Sequence, residues 1–139
     1  MMEKQVKAAI LHPDLLVSTD RGGGARTTQL VTRACGSTSL INGITAFAPG
    51  AAIGLHLHNC EESVMVIEGQ AIAEIDGVQH VLNPHDTTFI PANIPHRFLN
   101  VTDQPMRIFW TYGSINATRT LLASGETRSI DAEHSPAKP

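Results

Sequence analysis

The chain has 139 residues and is poor in cysteine, in charged residues and in aromatic residues. Its two cysteines are too few for a disulfide framework, so we expect free thiols and a cytoplasmic location. No run of about 18 apolar residues occurs, and the first residues lack the apolar stretch of a signal peptide, so we expect neither a membrane span nor export. The 10 Lys and Arg residues do not outnumber the 13 Asp and Glu residues, which argues against a nucleic-acid partner.

β-Branched residues, in contrast, are abundant and occur in short runs between turn-forming residues. Val, Ile and Thr together make 33 residues, and most of the 11 Gly and 8 Pro residues fall between the apolar runs. This pattern predicts one all-β domain, a sandwich or barrel. Asp76-Gly77 predicts a type I′ hairpin turn, which needs positive φ at both central residues. The predicted strands are Leu30–Arg33, Leu40–Phe47, Gly54–His58, Glu62–Glu68, Ala71–Ile75, Val78–Leu82, Thr87–Ile90, His96–Val101 and Met106–Tyr112.

Histidine is also frequent, with seven copies, and three of them are placed as metal ligands would be. His56 and His58 are two residues apart on a predicted strand, so their imidazoles project from the same face. Glu62 begins the next predicted strand and can return a carboxylate to the same point, and His96 follows 34 residues later, after an irregular loop. Three imidazoles and one carboxylate suit a divalent transition metal such as Fe, Mn, Ni, Co, Cu or Zn. An octahedral ion would keep two positions open for substrate.

The spacing of these residues resembles the two sequence motifs of the cupin superfamily. The first motif is matched at every fixed position, by Gly50, His56, His58, Glu62 and Gly69. The second motif is matched in part, by Pro91, His96 and Asn100. His85 and Asn93 replace two of its glycines, and Asn tolerates the left-handed backbone better than most residues do. The chain therefore resembles a small single-domain cupin of the Cupin_2 type.

The resemblance implies a double-stranded β-helix, the RmlC-like jelly-roll barrel, with one divalent transition metal ion per chain. The implied metal ligands are His56, His58, Glu62 and His96. The resemblance also implies a homodimer in which the N-terminal segment, residues 1–24, lies at the interface. The barrel would then occupy residues 25–115, and residues 116–139 would form a C-terminal extension. The polar composition of residues 124–139 predicts that this extension is mobile beyond His134.

Aromatic and basic side chains of the predicted strands are candidates for the substrate site. Trp110 and Tyr112 share one strand face, where they either fill the core or line a pocket, and Tyr112 is a candidate acid or hydrogen-bond donor. Arg33 and Arg107 are candidates for binding a substrate carboxylate, with a surface position as the alternative. Glu61 is expected at the rim or in solvent, because strand alternation turns it away from the neighbouring glutamate.

The predicted function is that of a metal-binding cupin. Small cupins that resemble this chain include isomerases, lyases, sugar-ring-opening enzymes and dioxygenases. We therefore expect a metal-dependent enzyme that acts on a small carboxylate or a sugar-derived metabolite. Two alternatives stay open: a ligand-binding or sensing module without turnover, and a dimer in which the metal only supports the fold.

Overall fold

A computed structural model describes residues 6–133 of the chain, and twelve strands form two six-stranded antiparallel sheets within them. The strands are β1 (Ser18–Gly22), β2 (Ala25–Gln29), β3 (Ile41–Phe47), β4 (His56–His58), β5 (Glu62–Glu68), β6 (Ala71–Ile75), β7 (Val78–Leu82), β8 (Thr87–Ile90), β9 (His96–Leu99), β10 (Met106–Tyr112), β11 (Thr118–Leu121) and β12 (Thr127–Ser129). The first sheet has the order β1-β2-β3-β10-β5-β8, and the second has the order β12-β11-β4-β9-β6-β7. This is the all-β jelly roll that the sequence predicts.

Helical structure is confined to single turns in the described residues. Two 3-10 turns span Pro13–Leu15 and Arg33–Cys35, and one α-helical turn spans Ile130–Glu133. No helix within residues 6–133 has the length and hydrophobicity that a membrane span requires.

Strict strand alternation places the core between the sheets. β3 and β10 alternate buried residues with more exposed ones along their whole length, as expected for strands with one face turned to the core. The largest fully buried apolar side chains belong to Phe47, Ile41, Ile90, Met106 and Ile130. The edge strand β7 has little burial on either face, with Val78 and Val81 both more than half exposed.

The predicted strand Leu30–Arg33 is wrong. The strand in this region is β2, which ends at Gln29, and the chain then forms the 3-10 turn Arg33–Cys35. Thr32 explains the difference, because its side-chain oxygen accepts a hydrogen bond from the Ala34 amide at 3.2 Å and caps the turn. β-Branched residues at positions 31 and 32 suggested a strand, but the capping bond and the turn determine the local structure.

Both sheets continue beyond the predicted barrel range, residues 25–115. β1 lies before this range and pairs with β2, and β11 and β12 lie after it and extend the second sheet beside β4. Residues 21–24 form the end of β1 and its turn, with φ values of 79°, 61° and 87° at the three glycines. The predicted mobility beyond His134 lies outside the described residues.

Left-handed backbone occurs at the turns where the sequence requires it. Asp76 and Gly77 have φ values of 50° and 81°, which confirms the predicted hairpin turn. His85 and Asn93, which stand where the cupin motif has glycine, keep φ values of 78° and 65°. The His85 amide donates to the Val66 carbonyl at 2.7 Å, so this turn is hydrogen-bonded to β5 despite the substitution. The glycine-type turn geometry therefore persists without the glycines.

Gly69 and Gly50 allow the cost of a left-handed backbone to be separated from that of a steric clash. Both have positive φ, 73° and 78°, but a Cβ on Gly50 would meet no atom within 4 Å, whereas one on Gly69 would lie 2.3 Å from the Pro105 carbonyl oxygen. We expect Gly50→Ala to lower the free energy of unfolding by about 1–2 kcal/mol and Gly69→Ala to lower it at least twice as much. Urea denaturation measures both losses. Equal losses in the two variants would contradict the clash at Gly69.

Candidate metal centre

Three imidazoles and one carboxylate meet inside the barrel. His56 and His58 come from β4, His96 from β9 and Glu62 from the start of β5. All four side chains are buried, with relative exposures of 7%, 2%, 1% and 5% in that order. The metal-binding atoms of the three histidines lie within 4.8 Å of one another. The structure thus brings together the four side chains that the sequence singles out as ligands.

Strand register explains this convergence. His56 lies directly opposite His96 in the β4–β9 pair, and directly opposed residues of antiparallel strands project from the same face. His58 is two residues further along β4, so it projects from that face as well. Glu62 belongs to the other sheet, where it lies opposite Tyr112 of β10. The carboxylate therefore approaches the histidines from across the barrel.

Each imidazole is oriented by one hydrogen bond to the backbone. The three Nδ1 atoms lie 2.7 Å, 2.9 Å and 2.9 Å from carbonyl oxygens of Gly54, Thr118 and Ile94, for His56, His58 and His96 respectively. A carbonyl oxygen only accepts, so Nδ1 carries the proton and the Nε2 lone pair is left for another partner. This is the arrangement that orients histidine ligands in metal sites.

The Nε2 atoms turn toward the carboxylate. Oε1 of Glu62 lies 2.9 Å from Nε2 of His96 and 3.5 Å from Nε2 of His58. Within the described residues, Nε2 of His58 is buried and makes no hydrogen bond. A buried polar atom without a partner is costly, and an ion bound to it removes that cost. The donor set and this atom together fit a divalent transition metal.

Electrostatics favour the neutral form of two of the histidines. Burial, followed by the positive charge of Arg119, holds the pKa of His56 well below its usual range. Burial also lowers the pKa of His58, and the Glu62 carboxylate opposes that shift. Neutral imidazole is the form that binds metal. Both rings are therefore ready to bind an ion at neutral pH without losing a proton.

Tyr112 and Trp110 line the cavity beside the histidines. The Tyr112 ring lies 4.6 Å from the His58 ring and 5.0 Å from the Trp110 ring, measured between centroids. Burial raises the pKa of Tyr112 well above its usual range, so its hydroxyl stays protonated at neutral pH. Trp110 donates a hydrogen bond to the Thr45 hydroxyl at 2.8 Å. Both aromatic residues are buried in the core and line the cavity at once, so the two predicted roles are compatible.

The other predicted site residues lie elsewhere. Arg107 alternates with Trp110 and Tyr112 on β10, so it projects from the opposite, exposed face and pairs with Glu68 at 3.0 Å. Arg33 lies in the 3-10 turn and bonds to the Asn116 side chain. The structure brings neither arginine to the histidines. Glu61 is exposed, as the alternation predicts.

Two arginines that the sequence analysis did not select lie beside the histidines. Arg21 and Arg119 line a cavity of about 30 Å³, termed here the inner cavity, together with His56, Glu62, His96, Trp110 and Tyr112. They also line a larger space of about 440 Å³, the outer cleft, with Ile53, Leu55, Leu121 and Ala123. The inner cavity is large enough for an ion or a water molecule, and the outer cleft has the size of a small-molecule site.

Both arginines belong to strands that the sequence analysis missed. Arg119 is the buried residue of β11, and the threonines on either side of it are less buried. Ala117, two residues before it, is buried as well, so buried and less buried residues alternate here. That period of two was the signal that pointed to a strand and to an inward arginine. Arg21 gave no such signal, because three glycines follow it.

Comparison with known proteins agrees with the fold and the motifs. Residues 43–112 match the cupin domain family. The chain belongs to this family. Two relatives of this cupin come from Streptomyces: it is 32% identical to protein SchB of Streptomyces halstedii, over 98% of this chain and 97% of SchB. It is 37% identical to polyketide synthase CurC of Streptomyces cyaneus, over 77% of this chain and 70% of CurC.

Solved cupin structures resemble this chain along most of its length. The polyketide cyclase RemF from Streptomyces resistomycificus superimposes with a TM-score of 0.73 at 18% identity, covering 89% of this chain and 86% of RemF. A sugar phosphate isomerase from Silicibacter pomeroyi superimposes with a TM-score of 0.72 at 23% identity, covering 94% and 97% of the two chains. At these identities the likeness concerns the fold, and it confirms the predicted cupin jelly roll.

Removal of a predicted ligand tests the metal centre. We expect His58→Ala to weaken zinc binding at least about a hundredfold. Removing only a hydrogen-bond partner of a metal ligand typically lowers metal affinity about tenfold to hundredfold, and loss of the ligand itself should cost at least as much. The matched control is His80→Ala, which removes an exposed imidazole on β7 and should leave the affinity unchanged. Zinc titration calorimetry compares them. The same zinc affinity in both variants would exclude His58 as a ligand.

Proposed function

We propose that this cupin is a metal-dependent enzyme that acts on a carbonyl-bearing small molecule. The observation that carries the proposal is the set of three buried histidines whose Nδ1 atoms are bonded to the backbone and whose Nε2 atoms turn inward beside a cavity. We propose His56, His58, Glu62 and His96 as the ligands of one divalent ion. A site that only supports the fold would not need an adjoining cleft of about 440 Å³.

A divalent ion held there would supply Lewis acidity, which would polarise a substrate oxygen and make a neighbouring C–H bond more acidic. Tyr112 is placed to donate a proton or a hydrogen bond to that substrate, because its buried hydroxyl stays protonated and its ring lies against His58. Trp110 forms a wall of the same cavity.

Reactions that begin with removal of a proton beside a carbonyl fit this arrangement best, with solvent water that enters through the outer cleft accepting the proton and the Tyr112 hydroxyl donating a hydrogen bond to the enolate oxygen. They include many isomerisations, eliminations and ring closures. The isomerase and lyase classes that the sequence analysis predicts are therefore retained, and cyclisation is a further candidate. The relatives support the last of these, since CurC is named as a polyketide synthase and RemF as a polyketide cyclase. A substrate with several carbonyl groups is therefore favoured over a sugar-derived one. The alternatives are dioxygenation and binding without turnover.

Deuterium exchange tests the proposed reaction class. We expect the zinc- or nickel-loaded protein in deuterated water to accelerate exchange of the methyl protons of 4-acetylbenzoate, a ketone acid whose spontaneous exchange is slow. Tyr112→Phe should slow this exchange at least about a hundredfold, the lower end of what a positioned acid contributes. Proton NMR follows the methyl signal.

The control is the same protein after chelation, which should show only the spontaneous rate. Exchange at the spontaneous rate both with and without metal would contradict the enzyme proposal and favour binding without turnover. Oxygen consumption by the iron-loaded protein with the same probe would favour the dioxygenase alternative.

We further propose that this cupin acts in the cytoplasm as a homodimer, with its N-terminal segment at the interface. Exposed apolar side chains in that segment support the proposal: Val6, Ile10, Leu15 and Val17 are 67%, 85%, 80% and 77% exposed. A row of such residues is unusual on a monomer, because exposed apolar surface favours association.

The mass in solution tests the dimer. We expect light scattering to give twice the chain mass of 14.9 kDa for the full chain. A chain without residues 1–17 should be monomeric, since it lacks the exposed apolar residues but keeps all twelve strands. A monomeric mass for the full chain would contradict the proposal.

A further inference from the structure

The inner cavity and the outer cleft share a boundary. Arg21, Ile53 and Arg119 line both spaces, and they are the only residues common to the two linings within the described part of the chain. A molecule that lies in the outer cleft and reaches toward the histidines must therefore pass two guanidinium groups. At this boundary the two positive charges favour a negatively charged ligand over a neutral one.

Strand geometry holds Arg119 at this boundary. It lies directly opposite His58 in the β11–β4 pair, so its side chain projects from the same face as that histidine. Its side chain is buried, with the residue only 8% exposed. A buried arginine is fixed by its surroundings, which makes it suited to a defined contact rather than to general solubility.

A β-bulge directs Arg21 to the same place. The register of the β1–β2 pair passes from Asp20 opposite Arg26 to Gly22 opposite Ala25, so Arg21 is the extra residue on its strand. Bulges turn a side chain away from the regular alternation and are frequent beside active sites. The glycines that follow let this hairpin approach the barrel closely: a Cβ on Gly23 would lie 2.9 Å from the Ala52 carbonyl oxygen.

The remaining surface of the outer cleft is apolar. Ile53, Leu55 and Leu121 supply hydrocarbon, and no Asp or Glu occurs among the described residues that line the cleft. The chain as a whole carries a net charge of −3, so this positive, apolar cleft differs from the rest of the molecule. A guanidinium recognises a planar oxyanion through paired hydrogen bonds, and apolar walls favour a hydrocarbon body.

We propose that Arg21 and Arg119 bind an acidic oxygen group of the substrate at this boundary, and that the substrate is an apolar organic acid whose hydrocarbon part lies in the outer cleft. The acidic group is a carboxylate or the enolate of an acidic carbonyl compound. The word substrate rests on the function proposed above, whereas the binding itself does not depend on turnover. Arg21 and Arg119 thus take the role that the sequence assigned to Arg33 and Arg107.

Binding calorimetry on the zinc-loaded full chain tests this assignment with two probes of the same shape. 4-Acetylbenzoate carries the negative charge, and 4-acetylbenzamide replaces the carboxylate by a neutral amide. We expect the acid to bind at least about tenfold more tightly than the amide, the effect of one charge-assisted hydrogen bond. Arg21→Met and Arg119→Met should each weaken binding of the acid about tenfold to hundredfold and leave the amide unchanged.

Two surface variants are the matched controls. Arg33→Met and Arg107→Met remove the same charge from exposed positions and should leave the affinity for both probes unchanged. Arg119→Lys keeps the charge without the planar fork and should weaken acid binding by less than Arg119→Met does. If Arg119→Met lowers the melting temperature so far that the protein does not stay folded, Arg21→Met still tests the proposal, because Arg21 is only partly buried.

Three results would overturn the inference: no binding of the acid, equal affinity for acid and amide, or acid affinity that Arg21→Met and Arg119→Lys leave unchanged. The proposed function fails in a different way. Arginine-dependent acid binding without metal-dependent deuterium exchange would leave this inference standing and refute the enzyme. Metal-dependent exchange together with acid binding that does not depend on the arginines would refute this inference and leave the proposed enzyme standing.

Discussion

The site depends on three hydrogen bonds between imidazole Nδ1 atoms and backbone carbonyls. Each bond selects the tautomer of its histidine and fixes the direction of the ring, so that Nε2 turns inward. Without them, three buried imidazoles only 4.5–5.1 Å apart between ring centroids would have no reason to present the same nitrogen to one point. Burial lowers the pKa of His56 and of His58, and burial also makes the unpaired Nε2 of His58 costly unless a cation binds to it.

The acceptor carbonyls come from three separate parts of the chain. Gly54 precedes β4, Ile94 precedes β9, and Thr118 begins β11. In the first two cases the carbonyl lies two residues before its own histidine, so the orientation is local. The bond to Thr118 is long-range and needs β11 in its place beside β4. The strand that orients His58 is therefore the same strand that brings Arg119 to the cavity, which couples the proposed metal centre to the proposed acid-binding boundary.

The convergence of the four proposed ligands was predictable from the sequence. Alternation on a strand places His56 and His58 on one face, and the cupin spacing adds Glu62 and His96. The arginines were not predictable in the same way. Arg21 reaches the cavity through a bulge, which changes the side on which a strand residue lies, and no sequence pattern marked it. Arg119 lies on a strand whose alternation was present but was read as part of an extension.

The fold shows the same division between local and tertiary causes. β5, β6, β7, β8 and β10 have the predicted bounds, because each is a run of strand-forming residues that turn residues limit in the sequence. β1, β2, β11 and β12 are short and polar, and pairing with a neighbouring strand stabilises them more than their own composition does. The segment after β2 has strand-forming residues but is held in a turn by the Thr32 cap.

Anomalous X-ray diffraction from crystals of the protein, expressed and purified without added chelator, tests the central claim most directly. The account predicts one anomalous peak per chain, about 2.0–2.3 Å from Nε2 of His56, His58 and His96 and from a carboxylate oxygen of Glu62. The absorption edge would identify the element. The account would be contradicted by a metal bound through Nδ1 atoms or by a metal at another place in the barrel. It would also be contradicted if the protein, supplied with excess metal, showed no ion at the histidines.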